Sequence, residues 1–168
     1  AELDNSSDSA IAAQATDEQN RLEQEYLNKT DGTESIATIR EEMQKTMEEG
    51  CGIYRTGSAI EASANKLREL QERYCKIAIH DHSRTFNTEW TVALELGFML
   101  DVAETVVQSA LNRTESRGAH QRTDFPDRDD ETFLGHSLIK RQEDGSSKLD
   151  LLPVTITRWP PAERVYGR

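Results

Sequence analysis

Asn87-Thr88-Glu89-Trp90-Thr91-Val92-Ala93-Leu94-Glu95-Leu96-Gly97-Phe98-Met99-Leu100-Asp101-Val102-Ala103-Glu104-Thr105-Val106-Val107-Gln108-Ser109-Ala110 is the most apolar continuous stretch of the chain. Trp90, Leu94, Phe98, Val102, Val106 and Ala110 recur four apart, which predicts a helix starting near Asn87 with that stripe turned inward. Leu96, Met99, Leu100, Ala103 and Val107 widen the stripe. A helix apolar over so much of its circumference must be touched on several sides, so it is expected at the centre. Gly97 would let a neighbouring backbone come close.

Three further helices precede it. Ile60, Ala64, Leu67, Leu70, Tyr74 and Ile77 line one face of a segment expected to run to about Ile79. Ser58, followed three residues later by Glu61, has the pattern of a capping box at its start. His80-Asp81-His82-Ser83 reads as the break before the central helix. Upstream, Ile36, Ile39, Met43 and Met47 describe another stripe, with Thr33 as its cap, Glu34 at the positive end of the helix dipole and Gly50 as its stop. Cys51, Ile53 and Tyr54 then read as a short apolar crossing. Positions 8–29 are rich in Ala, Glu and Gln and favour helix. Their only apolar face is Ile11, Ala15, Leu22 and Tyr26, so this helix needs a neighbour.

The last third differs. Positions 113–131 interleave Arg113, Arg117, Arg122 and Arg128 with acids, Gly118 and Pro126. Phe133–Arg141 and Lys148–Thr157 favour strand around Glu143-Asp144-Gly145-Ser146, which predicts a hairpin. The tail Trp159-Pro160-Pro161-Ala162 is stiff and extended, with Trp159 set to dock on the body or on a partner. The expected fold is therefore mainly α: an antiparallel three- to four-helix bundle over 1–113. Residues 114–168 follow as an irregular arginine-rich loop, a small β-hairpin and an extended tail.

Composition bounds the function. With 20 Lys+Arg against 31 Asp+Glu the net charge is -11, the reverse of what a diffuse nucleic-acid binder carries. No apolar run reaches the length of a membrane span, and the start lacks the pattern of a secretory signal. Two cysteines, Cys51 and Cys75, read as free core thiols in a reducing, cytoplasmic compartment. There is no GxGxxG, no phosphate-binding loop, no HExxH and no CxxC. His80 and His82 share a face only in a strand, where they would need a third ligand to hold a metal; as a turn they are solvent-exposed caps. No nucleophile and base are jointly evident. In Arg113 to Asp130 the guanidinium forks match carboxylates two-pronged. That pattern fits a self-locking loop, an interface or a substrate contact.

Ser116-Arg117-Gly118-Ala119-His120-Gln121-Arg122, followed by Asp124-Phe125-Pro126-Asp127-Arg128-Asp129-Asp130, resembles the C-terminal region of the flavoprotein subunit of fumarate reductase and succinate dehydrogenase. Met47-Glu48-Glu49-Gly50-Cys51-Gly52-Ile53-Tyr54-Arg55-Thr56, Phe86-Asn87-Thr88 and the closing Pro160-Pro161-Ala162-Glu163-Arg164-Val165-Tyr166-Gly167 are similar to that family in the same order. The resemblance implies a helical domain and small C-terminal part of a parent that binds FAD and interconverts fumarate and succinate. The flavin and the catalytic groups belong mainly to the upstream part, so the chain alone is expected to hold no cofactor and to be inactive. Arg117, Gly118 and His120 would face the flavin-binding domain, while Arg122, Asp124, Arg128, Asp129 and Asp130 hold the loop in place. The implied partners are that domain and an iron–sulfur subunit, with the parent peripheral on the cytoplasmic face of the inner membrane. Surface left bare by the missing domains would let the isolated piece self-associate. The competing reading is a freestanding helical interaction module without an enzymatic parent.

Overall fold

The computed structural model describes residues 6–162, apart from the side chains of 6–8. The first five residues and the closing stretch from Glu163 lie outside the described residues. Helix α1 spans Ser6–Leu22 and runs into a wider, π-helical turn, Glu23–Leu27. Helix α2 is Ile36–Cys51, β1 is Tyr54–Arg55, α3 is Gly57–Tyr74 and α4 is Thr88–Asn112. Strands β2 (Gln121–Arg122), β3 (Gly135–Arg141) and β4 (Ser147–Pro153) complete the chain. β1 pairs with β2 in parallel, and β3 with β4 as an antiparallel hairpin.

The mainly α bundle expected from the sequence is present. Helix α3 packs on α2 and α4, and α2 also meets α4. Ile39, Ile60, Leu67, Leu70, Leu96 and Leu100 are fully buried where the three meet. Each such side chain contributes about 1.5–3 kcal/mol by leaving water. Helix α4 is touched on several sides, by α2, α3, the π-helical turn and both hairpin strands. No helix among the described residues is long and apolar enough to cross a membrane.

The structure corrects the face of α4. Its buried line is Ala93, Leu96, Leu100, Ala103, Val107 and Ala110. Phe98, at 67% exposure, and Val102 and Val106 point outward instead. Steps of four advance about 400°, so a strict i+4 stripe drifts about 40° per step around the helix. Alternating steps of three and four hold one face. On a helix apolar nearly all round, the drifting stripe is the more visible of the two and the wrong one.

Both expected caps shift by two residues. Ser35, not Thr33, caps α2 by accepting from the Thr38 amide; Thr56, not Ser58, caps α3 by accepting from Ala59. Helix α3 ends at Tyr74, short of Ile79, because residues 76–78 pair with the strand-like 33–34: Thr33 and Glu34 donate to the Lys76 carbonyl, and Ala78 to that of Glu34. Ile77 and Ile79 stay buried from this extended segment. Helix α4 starts where expected, and Asn87 caps it by accepting from the Trp90 amide, while its side-chain amide donates to the Asp81 and Ser83 carbonyls. Gly50 is the last residue but one of α2, buried against α3, and Gly52 follows the helix end.

Ile53 and Tyr54 are exposed and form no apolar crossing. Cys51 is buried and Cys75 exposed, both free; Cys75 directly follows the last residue of α3, outside the packed faces. The described part of α1 keeps Ile11 largely in water. Trp159 is 76% exposed, with Arg158 over its ring, and is not packed into the core of the described residues.

Candidate functional site

Helix α4 ends at Asn112, and from Arg113 to Phe133 ion pairs rather than regular structure set the path of the chain. Their hub is Glu115, at 0% exposure. Its Oε1 accepts from Arg113 Nη1 at 2.5 Å and Arg117 Nε at 2.8 Å. Its Oε2 accepts from Arg117 Nη2 at 3.0 Å and the Asp129 amide at 2.7 Å. Arg117 continues to Asp130 at 2.6 Å, and Arg128 takes the other Asp130 oxygen at 2.9 Å. Arg113 also donates to the carbonyls of Phe133 and Gly135, which ties the start of β3 to the end of α4. Burial alone would raise the Glu115 carboxyl, but the donors from Arg117, Asp129 and Arg113 outweigh it and hold it below the usual range.

A second knot joins two helix ends. Arg122, 2% exposed, donates two-pronged to Asp124 at 2.7 and 2.8 Å, and its remaining nitrogen reaches the Ala110 carbonyl. Asp124 in turn accepts from the Gly57 amide at 2.8 Å, the first residue of α3. The cation sits at the negative end of α4 and the anion at the positive end of α3, so both helix dipoles are complemented. Arg122 above all, with Gly57, holds Asp124 far below the usual carboxylate range.

His120 stands between them. Its Nδ1 accepts from Arg55 at 3.0 Å and its Nε2–H donates to the Arg113 carbonyl at 3.0 Å, which fixes the neutral Nε2–H form. Burial pushes its imidazolium down, and Arg55, Arg122 and Arg113 push the same way against the Arg113 carbonyl. Arg117 and His120 exchange both backbone bonds, and Gly118 turns the chain between them at φ 59°. No Cβ is tolerated there without strain, although the space beside it is open.

The structure thus joins Arg117 to Asp130 and Arg128, and Arg122 to Asp124. His120 lies between the two, bonded to Arg55 and the Arg113 carbonyl rather than to either acid, and Gly118 faces solvent. The Asp129 side chain caps a turn by accepting from Glu131 and Thr132. Sequence reasoning missed Glu115 and Arg55. The pattern Arg113-x-Glu115-x-Arg117, one acid two residues from an arginine on each side, is the signal that could have found the hub. Arg55 reaches the site only because β1 pairs with β2, 65 residues downstream of it for the His120 bond.

Chemically the arrangement is an electrostatic splint. The carboxylates of Glu115, Asp124, Asp129 and Asp130 are all engaged, and among the described residues no nucleophile faces a base. Ser116 is consumed by the Arg122 amide and the Phe125 carbonyl. A cleft of about 750 Å³ opens beside it, lined by Ser116, Arg117, Gly118, Asp127, Arg128 and Pro161. Among the described residues no three ligating side chains gather to hold a metal. His80 is bound to Glu89 and His82 to the Leu27 carbonyl, as turn residues. Among the described residues both strand pairings are two-stranded, without the parallel sheet and glycine-rich turn that cradle a dinucleotide pyrophosphate.

These shifts set an acid response. His120 has a folded pKa below its unfolded value of about 6.5, so the unfolded chain takes up a proton first and stability falls as pH drops from there through the folded value. Glu115, Asp124 and Glu42, the last held down to about 2 by Arg73 and Lys66, add a second loss below the unfolded carboxylate range, at roughly pH 4. Urea midpoints measured from pH 7.5 to 3 are expected to fall in these two stages, and His120→Gln to flatten the first. A first stage that survives in His120→Gln would remove His120 as its source.

Comparison with known proteins fits this layout. The family model described as fumarate reductase flavoprotein C-term matches residues 40–166. The fumarate reductase flavoprotein subunit of Mycobacterium tuberculosis H37Rv is 58% identical over 95% of this chain and 27% of its own length. That of Escherichia coli K12 is 48% identical over 97% of this chain and 27% of its own. A solved chain of E. coli quinol fumarate reductase superposes with a TM-score of 0.89 at 45% identity, covering 99% of this chain and 28% of that one. The chain spans about a quarter of the length of the curated relatives it matches. The family-model match over most of the chain places it in the C-terminal family of fumarate reductase and succinate dehydrogenase flavoprotein subunits, to which it belongs.

Proposed function

We propose that the chain is the helical brace of a flavoprotein subunit that interconverts fumarate and succinate. Residues 1–113 form the bundle, and 114–168 carry the loop, hairpin and tail that meet the rest of the subunit. Arg117, Gly118 and His120 present the loop toward the flavin-binding part. Arg122, Asp124, Arg128, Asp129 and Asp130 keep its shape. FAD, the reacting groups and electron transfer to an iron–sulfur subunit belong to protein outside this chain, and the assembly sits peripherally on a membrane. The observation that carries the reading is the internal pairing of Arg113, Arg117, Arg122 and Arg128 with the loop's own acids, around a Glu115 shut off from water. A loop so tied is a fixed template for a neighbour, not a site waiting for substrate. Outward Phe98, Val102 and Val106 also give the isolated chain an apolar surface for self-association.

The test is a chimera in which this chain replaces the matching C-terminal quarter of the M. tuberculosis relative. The chimera is expected to hold FAD and reduce fumarate, the 168-residue chain alone to do neither, and Arg117→Ala to lower the yield of flavin-loaded subunit. Flavin binding and fumarate turnover by the isolated chain would overturn the proposal.

A further inference from the structure

The end of the bundle remote from the arginine loop carries two features that the brace as described does not use. Helix α4 has 25 residues and is about 37 Å long, so its first turn stands far from Arg113.

The first feature is Phe86. It is 96% exposed, yet its backbone sits at φ 53°, the left-handed region that a bulky residue enters only under constraint. The constraint is the neighbouring Asn87, buried and bonded to the Asp81 and Ser83 carbonyls and to the Trp90 amide. A ring left 96% in water adds little to the packing of the described residues, so the strain there has no evident return within them. Strained, exposed aromatic groups of this kind serve as anchors for a partner.

The second feature is Arg40. Among the described residues every other arginine is hydrogen-bonded, ion-paired or stacked on a ring; Arg40 has no partner, and its Nε is buried without an acceptor. In a chain of net charge -11 that is a conspicuous lack. Arg40 lines a cavity of about 460 Å³ between the first turns of α2 and α4, with Ile36, Ala37, Ala78, Val92 and Gln44. The ionisable side chains that line the cavity with it are Glu41, Glu89 and His80. Glu89 is consumed by the His80 and Asp81 amides and the His80 ring. Thr88 and Glu89 also line this cavity, so Phe86 stands two residues from its wall.

We propose that this end is a second docking surface for the remainder of the subunit, in which a carboxylate of that protein pairs with Arg40 and Phe86 fills an apolar recess beside it. The inference rests on the bracing function and assigns it a second, separate contact. Charge complementarity selects the partner's chemistry, since a half-buried guanidinium whose Nη groups bond no acid among the described residues is completed by one. The remainder is named as occupant because this chain spans only about a quarter of its relatives' length.

Two measurements decide it. Phe86→Ala and Arg40→Met are made both in the 168-residue chain and in the chimera. In the chain alone they are expected to leave the melting temperature unchanged or raised, and in the chimera to lower it by several degrees. Equal losses in both settings would make the residues internal supports, and no loss in either would leave the surface unused; each outcome overturns the proposal. Separately, sodium acetate titrated into the isolated chain is expected to move the Arg40 Nε–H resonance saturably, half-complete at about 10–50 mM, with no response to chloride. Absence of a saturable shift rejects the carboxylate site even if the unaltered chimera fails to assemble, a failure that would by itself sink the bracing function.

Discussion

Glu115→Ala is expected to lower the unfolding free energy by about 3–5 kcal/mol, the cost of stripping one partner from a buried ion pair. Two guanidiniums lose their shared anion at once, and the Asp129 amide loses its acceptor. The side chain of Arg117 is 26% exposed, so water reaches part of its charge and the loss should sit toward the lower end of that range. Glu115→Gln keeps the volume but turns one acceptor into a donor aimed at a guanidinium, so it should cost nearly as much. Replacing Arg113 and Arg117 by methionine and Glu115 by leucine together removes the stranded charges. That triple variant should regain part of the loss, though the Gly135 carbonyl then loses its Arg113 donor and the Asp129 amide still lacks its acceptor. Urea unfolding at pH 7 reads all three. A Glu115→Ala loss under 1 kcal/mol would show that the loop is held by packing and not by its charges.

The reason Glu115 was hidden in the sequence also explains what else was hidden. Periodicity reports burial of apolar residues, so the Ile36–Ile39–Met43 and Ile60–Leu67–Leu70 faces were legible, as was the mainly helical fold. It says nothing of a glutamate driven inside by two arginines, because acids are outside by default. The α4 stripe failed for the opposite reason: a helix apolar on most sides offers more than one stripe, and only its neighbours choose between them. The caps at Ser35 and Thr56 lie among Thr33, Ser35, Thr56 and Ser58, all competent to cap, and tertiary pairing of 33–34 with 76–78 decided the first. The β1–β2 contact joins two-residue strands far apart in the chain and leaves no periodic trace, so Arg55 could not be assigned to the loop. Family membership was legible for a different reason, since it rests on words such as Ser116-Arg117-Gly118-Ala119-His120 rather than on a pattern of burial.

At the other crossing in the bundle, Gly50→Ala is expected to cost about 3 kcal/mol, the upper range for forcing atoms into a packed interior. A Cβ at position 50 would lie 1.8 Å from Ser63 Oγ, 2.8 Å from its Cβ and 2.9 Å from the Ala59 carbonyl oxygen. The hydroxyl cannot simply swing away, because Ser63 is 5% exposed and its Oγ lies within bonding distance of the Thr46 and Ala59 carbonyls. Helices α2 and α3 would have to part, and the Ile39–Ile60 region of the core would open with them. Ser63→Gly should therefore be costly alone yet partly rescue Gly50→Ala, since it removes the two nearest side-chain atoms and leaves only the Ala59 contact. The double-mutant cycle should show a favourable coupling of at least about 1 kcal/mol. Purely additive losses would mean that the helices adjust freely at this crossing and that Gly50 is not what sets their approach.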